Sequence, residues 1–381
     1  MKYVFWIPAF IILTVLLDRL GGLGLQRLTE KSGFRYSREY CDSSKHDIVF
    51  IGNSRGLTFY QPEVEKLTGT RTINLSYNAL PADLAKVLVM DYLDRRPAPK
   101  LLIMDITLCD RVNDALIAGF NLYTPYSERL SRLISHYDTE VDSLGRQHNA
   151  VGGKISHLYL YNSEIFQRAF YYRNHTDEDW LLDRVISEKM ATDTALKSYQ
   201  IAMFPNMVQE LKETIDYAHA KGVEVKLVIN PYFPQFQKTI KARFLTPLKE
   251  AVQTATGLEV HDYSTAVIET DFFGDYQHLN KNGSVKYMGI LFNDGIFSLK
   301  PTTFITEPAS PQVEVMDTAI VTKKELKEAD NKIIKTIYWS QPEKVSAVQQ
   351  TSVKLHLKCF HNKINSVQVW ESVDTFSLQK H

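Results

Sequence analysis

The sequence predicts a doubly wound α/β domain over about residues 45 to 300, on two observations. Five short, strongly apolar stretches suit parallel strands, and helical patterns lie between them. The strand candidates are HDIVFIG (46 to 52), TRTINLS (70 to 76), KLLIMDIT (100 to 107), VEVKLVINP (223 to 231) and LEVHDYS (258 to 264). Several are near-continuous apolar runs, as strands covered on both faces require. The helical candidates are DLAKVLVMDYLDRR (83 to 96), PNMVQELKETIDYAHAKG (205 to 222) and FLTPLKEAVQTATG (244 to 257). Gly222 and Gly257 stand where the last two need a C-terminal stop. Residues 110 to 200 break the alternation and read as a helical insertion. Beyond Phe297 a linker containing Pro and Thr opens a tail, residues 301 to 381, with one charged helical stretch and one alternating strand and no role that its residues indicate.

Composition narrows the function classes. The 381 residues are 44% hydrophobic and 23% charged, an ordinary globular balance. Lys plus Arg equals Asp plus Glu at 44 each, so no long-range field draws the chain to nucleic acid, which is not expected as a partner. Cys41, Cys109 and Cys359 are too scattered for a disulfide framework or a zinc cluster. No H-E-x-x-H or P-loop occurs, and GGLGL (21 to 25) lacks both a preceding strand and the glycine spacing of a dinucleotide turn. No metal and no cofactor is expected.

Residues 4 to 17, VFWIPAFIILTVLL, follow Lys2 and are interrupted by Asp18 and Arg19. Three readings compete: a cleaved signal, an uncleaved anchor reaching about Leu25, and a buried core helix. The stretch LLDRLGGLGLQ offers no small-residue cleavage site, which disfavours the first. The anchor is favoured, so residues 1 to 25 are expected in a membrane. Flanking charge leaves orientation undecided, with Lys2 on one side and Arg19, Arg27 and Lys31 on the other.

The chemistry centres on GNSRG, residues 52 to 56, at the end of the first strand candidate. The string matches the G-x-S-x-G nucleophile elbow of α/β-hydrolases. In that fold several strands precede the elbow, and the acid and histidine lie well apart. Here Asp275 and His278 stand three apart in FFGDYQHLNKNG (272 to 283), just before a helix that Asn280 is placed to cap. A hydroxyl becomes a useful nucleophile only when a neighbouring imidazole takes its proton, and the imidazole needs an acceptor that fixes its tautomer.

A G-x-S after the first strand, with D-x-x-H-x-N near the end of the α/β region, resembles the SGNH (GDSL-like) hydrolase superfamily. The resemblance covers residues 45 to 300. It implies a three-layer, flavodoxin-like sheet of mostly parallel strands, with Ser54 as nucleophile, His278 as general base and Asp275 as its orienting carboxylate. Members supply an oxyanion-hole glycine after the second strand and an asparagine after the third. The sequence departs at both: Ala79 in NLSYNALP stands at the glycine position, and LLIMDITLCD has no G-x-N-D. The oxyanion donors to expect are therefore the N–H groups of Ser54 and Ala79, with Asn78 replacing the missing amide. One lost donor costs roughly 3 to 4 kcal/mol in a hydrolase. Departures in these blocks, together with the apolar N-terminus, are similar to membrane-tethered branches that act on envelope polymers.

The resulting expectation is an anchored serine esterase or O-acyltransferase, outside the cytoplasm, that acts on an acyl ester of a cell-envelope glycan. The alternative is a catalytically silent accessory that binds glycan or a membrane acyltransferase partner. Each residue also has a plainer role. Ser54 suits a helix N-cap, Asp275 a turn, and Arg55 a solvated or salt-bridged helix position or an anion contact. The aromatic stretch HLYLYNSEIFQRAFYYR (157 to 173) suits the buried face of an inserted helix, or a wall over the site that stacks on sugar or acyl groups.

Overall fold

The computed structural model describes residues 6–108, 113–138, 155–175, 181, 183–193 and 205–298. Five strands form one sheet: β1 (Ile48–Ile51), β2 (Thr72–Asn74), β3 (Leu101–Asp105), β4 (Glu224–Ile229) and β5 (Val260–Asp262). The order is β2-β1-β3-β4-β5 and every neighbouring pair is parallel. Each strand lies inside one of the five apolar runs, with the ends of the runs given over to turns. The order reverses between β1 and β3, so loops leaving their C-terminal ends diverge and open a crevice, the place where open α/β sheets bind ligands.

Alternate side chains along the strands enter two separate apolar clusters. Val49, Ile51, Leu102 and Met104 belong to one, and Ile48, Phe50, Leu101 and Ile103 to the other. Helices Ala82–Arg95, Pro205–Ala220 and Thr246–Thr256 cover the first face, while Gln61–Thr68 and Lys281–Asn293 pack together over the second. The molecule is thus a three-layer α/β fold. Gly222 (φ 74°) and Gly257 (φ 69°) adopt the left-handed conformation at the helix stops. The helix expected from Phe244 instead continues from an upstream helix, Pro234–Ile240, through a π-helical turn at Lys241–Leu245. Pro247, which has no N–H, stands just beyond that widened turn. The first face also takes in Phe34, Tyr36 and Tyr40, all 1% exposed or less, so the packed core starts ahead of residue 45.

The N-terminal apolar run extends into a 25-residue helix, Trp6–Glu30, long and apolar enough to cross a membrane. Trp6 and Phe10 are at least 70% exposed, and so the core-helix reading does not hold for this end. The other end is docked on the insertion. Asp18 accepts from the backbone N–H of His157 (2.9 Å) and Leu158 (3.3 Å) and from the Ser156 hydroxyl. It thereby caps the short 3₁₀ turn Leu158–Tyr161. The charged interruption of the apolar run is therefore a contact to the insertion. Gly22 is a point of close approach, since a Cβ there would lie 2.4 Å from the His157 Cβ.

Replacing Gly22 by Val forces this contact apart, and overpacking of this kind costs about 1 to 3 kcal/mol. The expected outcome is a melting temperature lowered by several degrees in the detergent-solubilised chain, with Gly24→Val, which meets open space, as the neutral control.

Candidate active site

Ser54 opens a five-residue 3₁₀ segment, Ser54–Thr58, two residues after β1 ends. Asn53 caps the segment: its Oδ1 accepts the Arg55 N–H at 3.0 Å, and its Nδ2 donates to the Thr107 carbonyl at 2.6 Å. Ser54 is therefore not itself the cap. The two glycines of GNSRG have packing reasons of their own. A Cβ on Gly52 would lie 2.9 Å from the Asp105 Cβ, and one on Gly56 would lie 2.3 Å from Ser76 Oγ. The elbow-like string follows from the squeeze between the ends of β1, β2 and β3. Because the segment is one short 3₁₀ turn, its dipole contributes little.

Asp275 and His278 lie on a loop closed by an antiparallel bridge between Phe273 and Leu279 and by the Gly274 N–H bonding the His278 carbonyl at 3.0 Å. Asn280 caps the following helix as expected, accepting the Gly283 N–H at 3.0 Å. Within the loop, Asp275 Oδ1 accepts the backbone N–H of Gln277 (2.8 Å) and of His278 (3.0 Å). The same carboxylate faces His278 Nδ1 at 2.8 and 2.9 Å. An imidazole that donates Nδ1–H to a carboxylate presents Nε2 as an acceptor, and Nε2 lies 2.8 Å from Ser54 Oγ. The sheet thus brings together two side chains 224 positions apart. Burial pushes the Asp275 pKa up, but the hydrogen bond and charge of His278, with the two backbone N–H groups, outweigh it and hold the carboxyl below its ordinary 3.8.

Ser54, Asn78, Leu181, Pro231, Asp275 and His278 line a cleft of about 180 Å³. Of the oxyanion candidates, Asn78 lines this cleft with its side chain exposed, whereas Ala79 lines the adjoining groove. Ala79 has φ 52°, the left-handed region that suits the glycine of the family pattern, and no other non-glycine among the described residues shares it. Arg55 is buried, not solvated. It lies 3.7 Å from Asp105, donates to the Thr107 carbonyl at 2.7 Å and stacks over Tyr232 at 4.4 Å.

Sequence reasoning missed Asp105 and Asn230. Asn230 donates to Asp105 (3.1 Å) and to the Arg55 carbonyl (3.2 Å), and accepts from Tyr287 (2.9 Å). The signal was available: LLIMD and LVIN each end an apolar run on a polar residue at the C-terminal edge of a parallel strand. The aromatic stretch divides, with Tyr161 and Tyr172 in the core and Tyr159 and Leu160 lining the groove. Among the described residues no three His, Cys, Asp or Glu side chains cluster as a metal site requires.

No protein-family model matches this chain, and neither does any curated protein. Solved structures are similar in outline. One is a "putative acylhydrolase" from Bacteroides fragilis, 14% identical, covering 70% of this chain and 96% of its own, with a TM-score of 0.36. Another is a "putative platelet activating factor" from Streptococcus pneumonia, 13% identical, covering 74% and 98%, with a TM-score of 0.32. Likeness at that level says nothing of activity.

The lowered Asp275 pKa carries a pH dependence whose sign is fixed. The fold favours the ionised carboxylate, so its stabilisation is present above the ordinary value of 3.8 and is lost as pH falls through the lower folded value. Melting curves of wild type and Asp275→Asn should differ by a constant amount at neutral pH, and the gap should close below about pH 4.

Proposed function

We propose that this chain is a serine-dependent esterase or O-acyltransferase of the SGNH type, acting through an acyl-enzyme on Ser54. The observation that carries the proposal is the 2.8 Å contact of Ser54 Oγ with His278 Nε2, whose Nδ1 is held by Asp275, at the C-terminal crevice of the sheet. In the first step His278 takes the Ser54 proton as Oγ attacks the ester carbonyl, and then returns it to the departing alkoxide. Water or a sugar hydroxyl, deprotonated by the same imidazole, next attacks the acyl-Ser54 ester and frees the serine. The Ser54 N–H and the Asn78 amide are the donors assigned to the oxyanion. The apolar N-terminal helix supports placement at a membrane; the reading further takes the domain to lie outside the cytoplasm and an acylated envelope glycan to be its substrate.

A fluorophosphonate probe reports directly on an activated serine. The expected outcome is stoichiometric labelling of Ser54 in folded protein and turnover of p-nitrophenyl acetate. Ser54→Ala and His278→Ala should each lower kcat/KM at least about 10³-fold, with the double variant no worse, because the pair acts as one unit. Absent labelling in folded protein would favour the silent accessory instead, a reading that draws on the third-strand loop, where Thr107 turns its carbonyl to Asn53 and Arg55.

Asn78→Ala tests the oxyanion assignment separately. Loss of a donor aimed at the transition state should reduce kcat about 10²- to 10³-fold with little change in KM. A change confined to KM would make Asn78 a substrate contact only.

A further inference from the structure

Beside the Ser54 cleft lies a larger groove of about 580 Å³, within the range of small-molecule sites. It runs between the loop after β2 and the insertion, and Asn78 lines both spaces, so the groove adjoins the Ser54 cleft. Asn113 ties its two walls together, donating to the Ala79 carbonyl at 3.4 Å while its Oδ1 accepts the Leu116 N–H at 3.1 Å.

The lining is unusual in its chemistry. Asn78, Asn121 and Asn162 present side-chain amides that have no hydrogen-bond partner among the described residues. Each amide offers donors and an acceptor together, which matches hydroxyl groups that also do both. Ala115, Ala118 and Leu160, exposed or half-buried, supply apolar surface, and Tyr159 adds a partly exposed aromatic ring. A pyranose has the complementary character, with apolar C–H faces and a rim of hydroxyls. An acyl chain would leave the three amides unsatisfied and desolvated. Among the described lining residues none is Lys, Arg or His, and the single charged group is Glu164. Glu164 is engaged by Arg168 at 3.3 Å and by the Tyr77 hydroxyl at 3.2 Å. Phosphorylated or uronate polymers would bring like charge to that carboxylate with no cation in the lining to receive them.

We propose that this asparagine-rich groove is a subsite for uncharged sugar rings, which holds the glycan so that an ester on the neighbouring ring reaches Ser54. It deepens the esterase reading and rests on it for the position of the ester, whereas the sugar contacts stand on the groove alone.

The test uses the full chain in detergent with two probes of equal length, cellotetraose and tetragalacturonate, titrated calorimetrically into Ser54→Ala. The expected result is saturable binding of cellotetraose, weakened about tenfold or more in Asn121→Ala/Asn162→Ala, since each lost hydrogen bond is worth a factor of about 2 to 10. In the Ser54 enzyme, the ratio of kcat/KM on partially acetylated cello-oligosaccharide to that on p-nitrophenyl acetate should fall about tenfold in the same double variant. Melting curves, and the two single variants, guard against misfolding. No saturable binding, tighter binding of tetragalacturonate, or a ratio unmoved in folded double variant each overturns the subsite. Cellotetraose binding without ester turnover keeps the subsite and removes the esterase reading.

Discussion

The buried pairing of Arg55 with Asp105, between the ends of β1 and β3, is the constraint on which the site depends. Arg55 is 5% exposed and Asp105 is fully buried, so neither charge has water to fall back on. Taking both out of solvent costs several kcal/mol per ion unless the remaining lone pairs and protons are met. Asp105 is met by the Thr107 N–H at 2.9 Å, the Thr107 hydroxyl and the Asn230 amide. Arg55 donates to the Thr107 carbonyl and stacks on the Tyr232 ring, while its buried Nε has no hydrogen-bond partner among the described residues. Asn230 then bonds the Arg55 carbonyl and is itself held by Tyr287, on the helix that follows His278. A second link, Thr58 Oγ1 to Ser284 Oγ at 2.9 Å, joins the serine's 3₁₀ segment to that same helix. The turn that carries Ser54 and the helix that follows His278 are thus fixed to one buried frame. A fixed geometry is what catalysis by positioned groups demands.

The N-terminal helix imposes a second constraint. At 1.5 Å per residue its 25 residues span roughly 37 Å, longer than the ~30 Å hydrocarbon core of a bilayer. Its middle is bonded to the insertion through Asp18, and its C-terminal end through Gln26, whose Nε2 donates to the Tyr126 hydroxyl at 2.9 Å. A helix held in this way is a strut, not a tether, and it restricts how the domain can turn against whatever surrounds its apolar end. The insertion that receives the strut also builds one wall of the asparagine groove: Leu158 faces Gly21 of the helix, while Tyr159 lines the groove.

Much of this was legible in the sequence because burial leaves a strong signature there. A strand covered on both faces reads as an unbroken apolar run, and all five runs became strands in one parallel sheet. Helix stops at Gly222 and Gly257 were legible because φ near +70° selects glycine. Ser54, Asp275 and His278 stood out because their positions at the two ends of the α/β region match a family pattern, and the sheet brings those ends together. Arg55 was legible only in part: the sequence left a solvated position, a salt bridge and an anion contact open, and only the buried Asp105 opposite decides for the salt bridge. The groove was legible only in part, since its asparagines come from three separate stretches of chain that sequence spacing does not relate.

The proposed oxyanion donors were the hardest to read, for a reason inherent in their chemistry. A nucleophile and a base must be particular side chains, so residue type gives them away. An N–H donor is offered by any residue but proline, so its position is set by backbone conformation alone. The one trace it leaves is a preference for glycine where φ is positive, and here Ala79 occupies such a position with φ 52°. An L-residue in that region carries a penalty of about 1 to 2 kcal/mol. The loop that imposes it is held by its surroundings: Tyr77 N–H bonds the Gly52 carbonyl, Leu80 N–H bonds Tyr77, and Asn113 donates to the Ala79 carbonyl. These bonds tie the loop after β2 to the end of β1 on one side and to the insertion on the other. The strained turn at Ala79 is therefore a consequence of joining the end of β1 to the groove wall, and it stands next to Asn78, where both spaces meet.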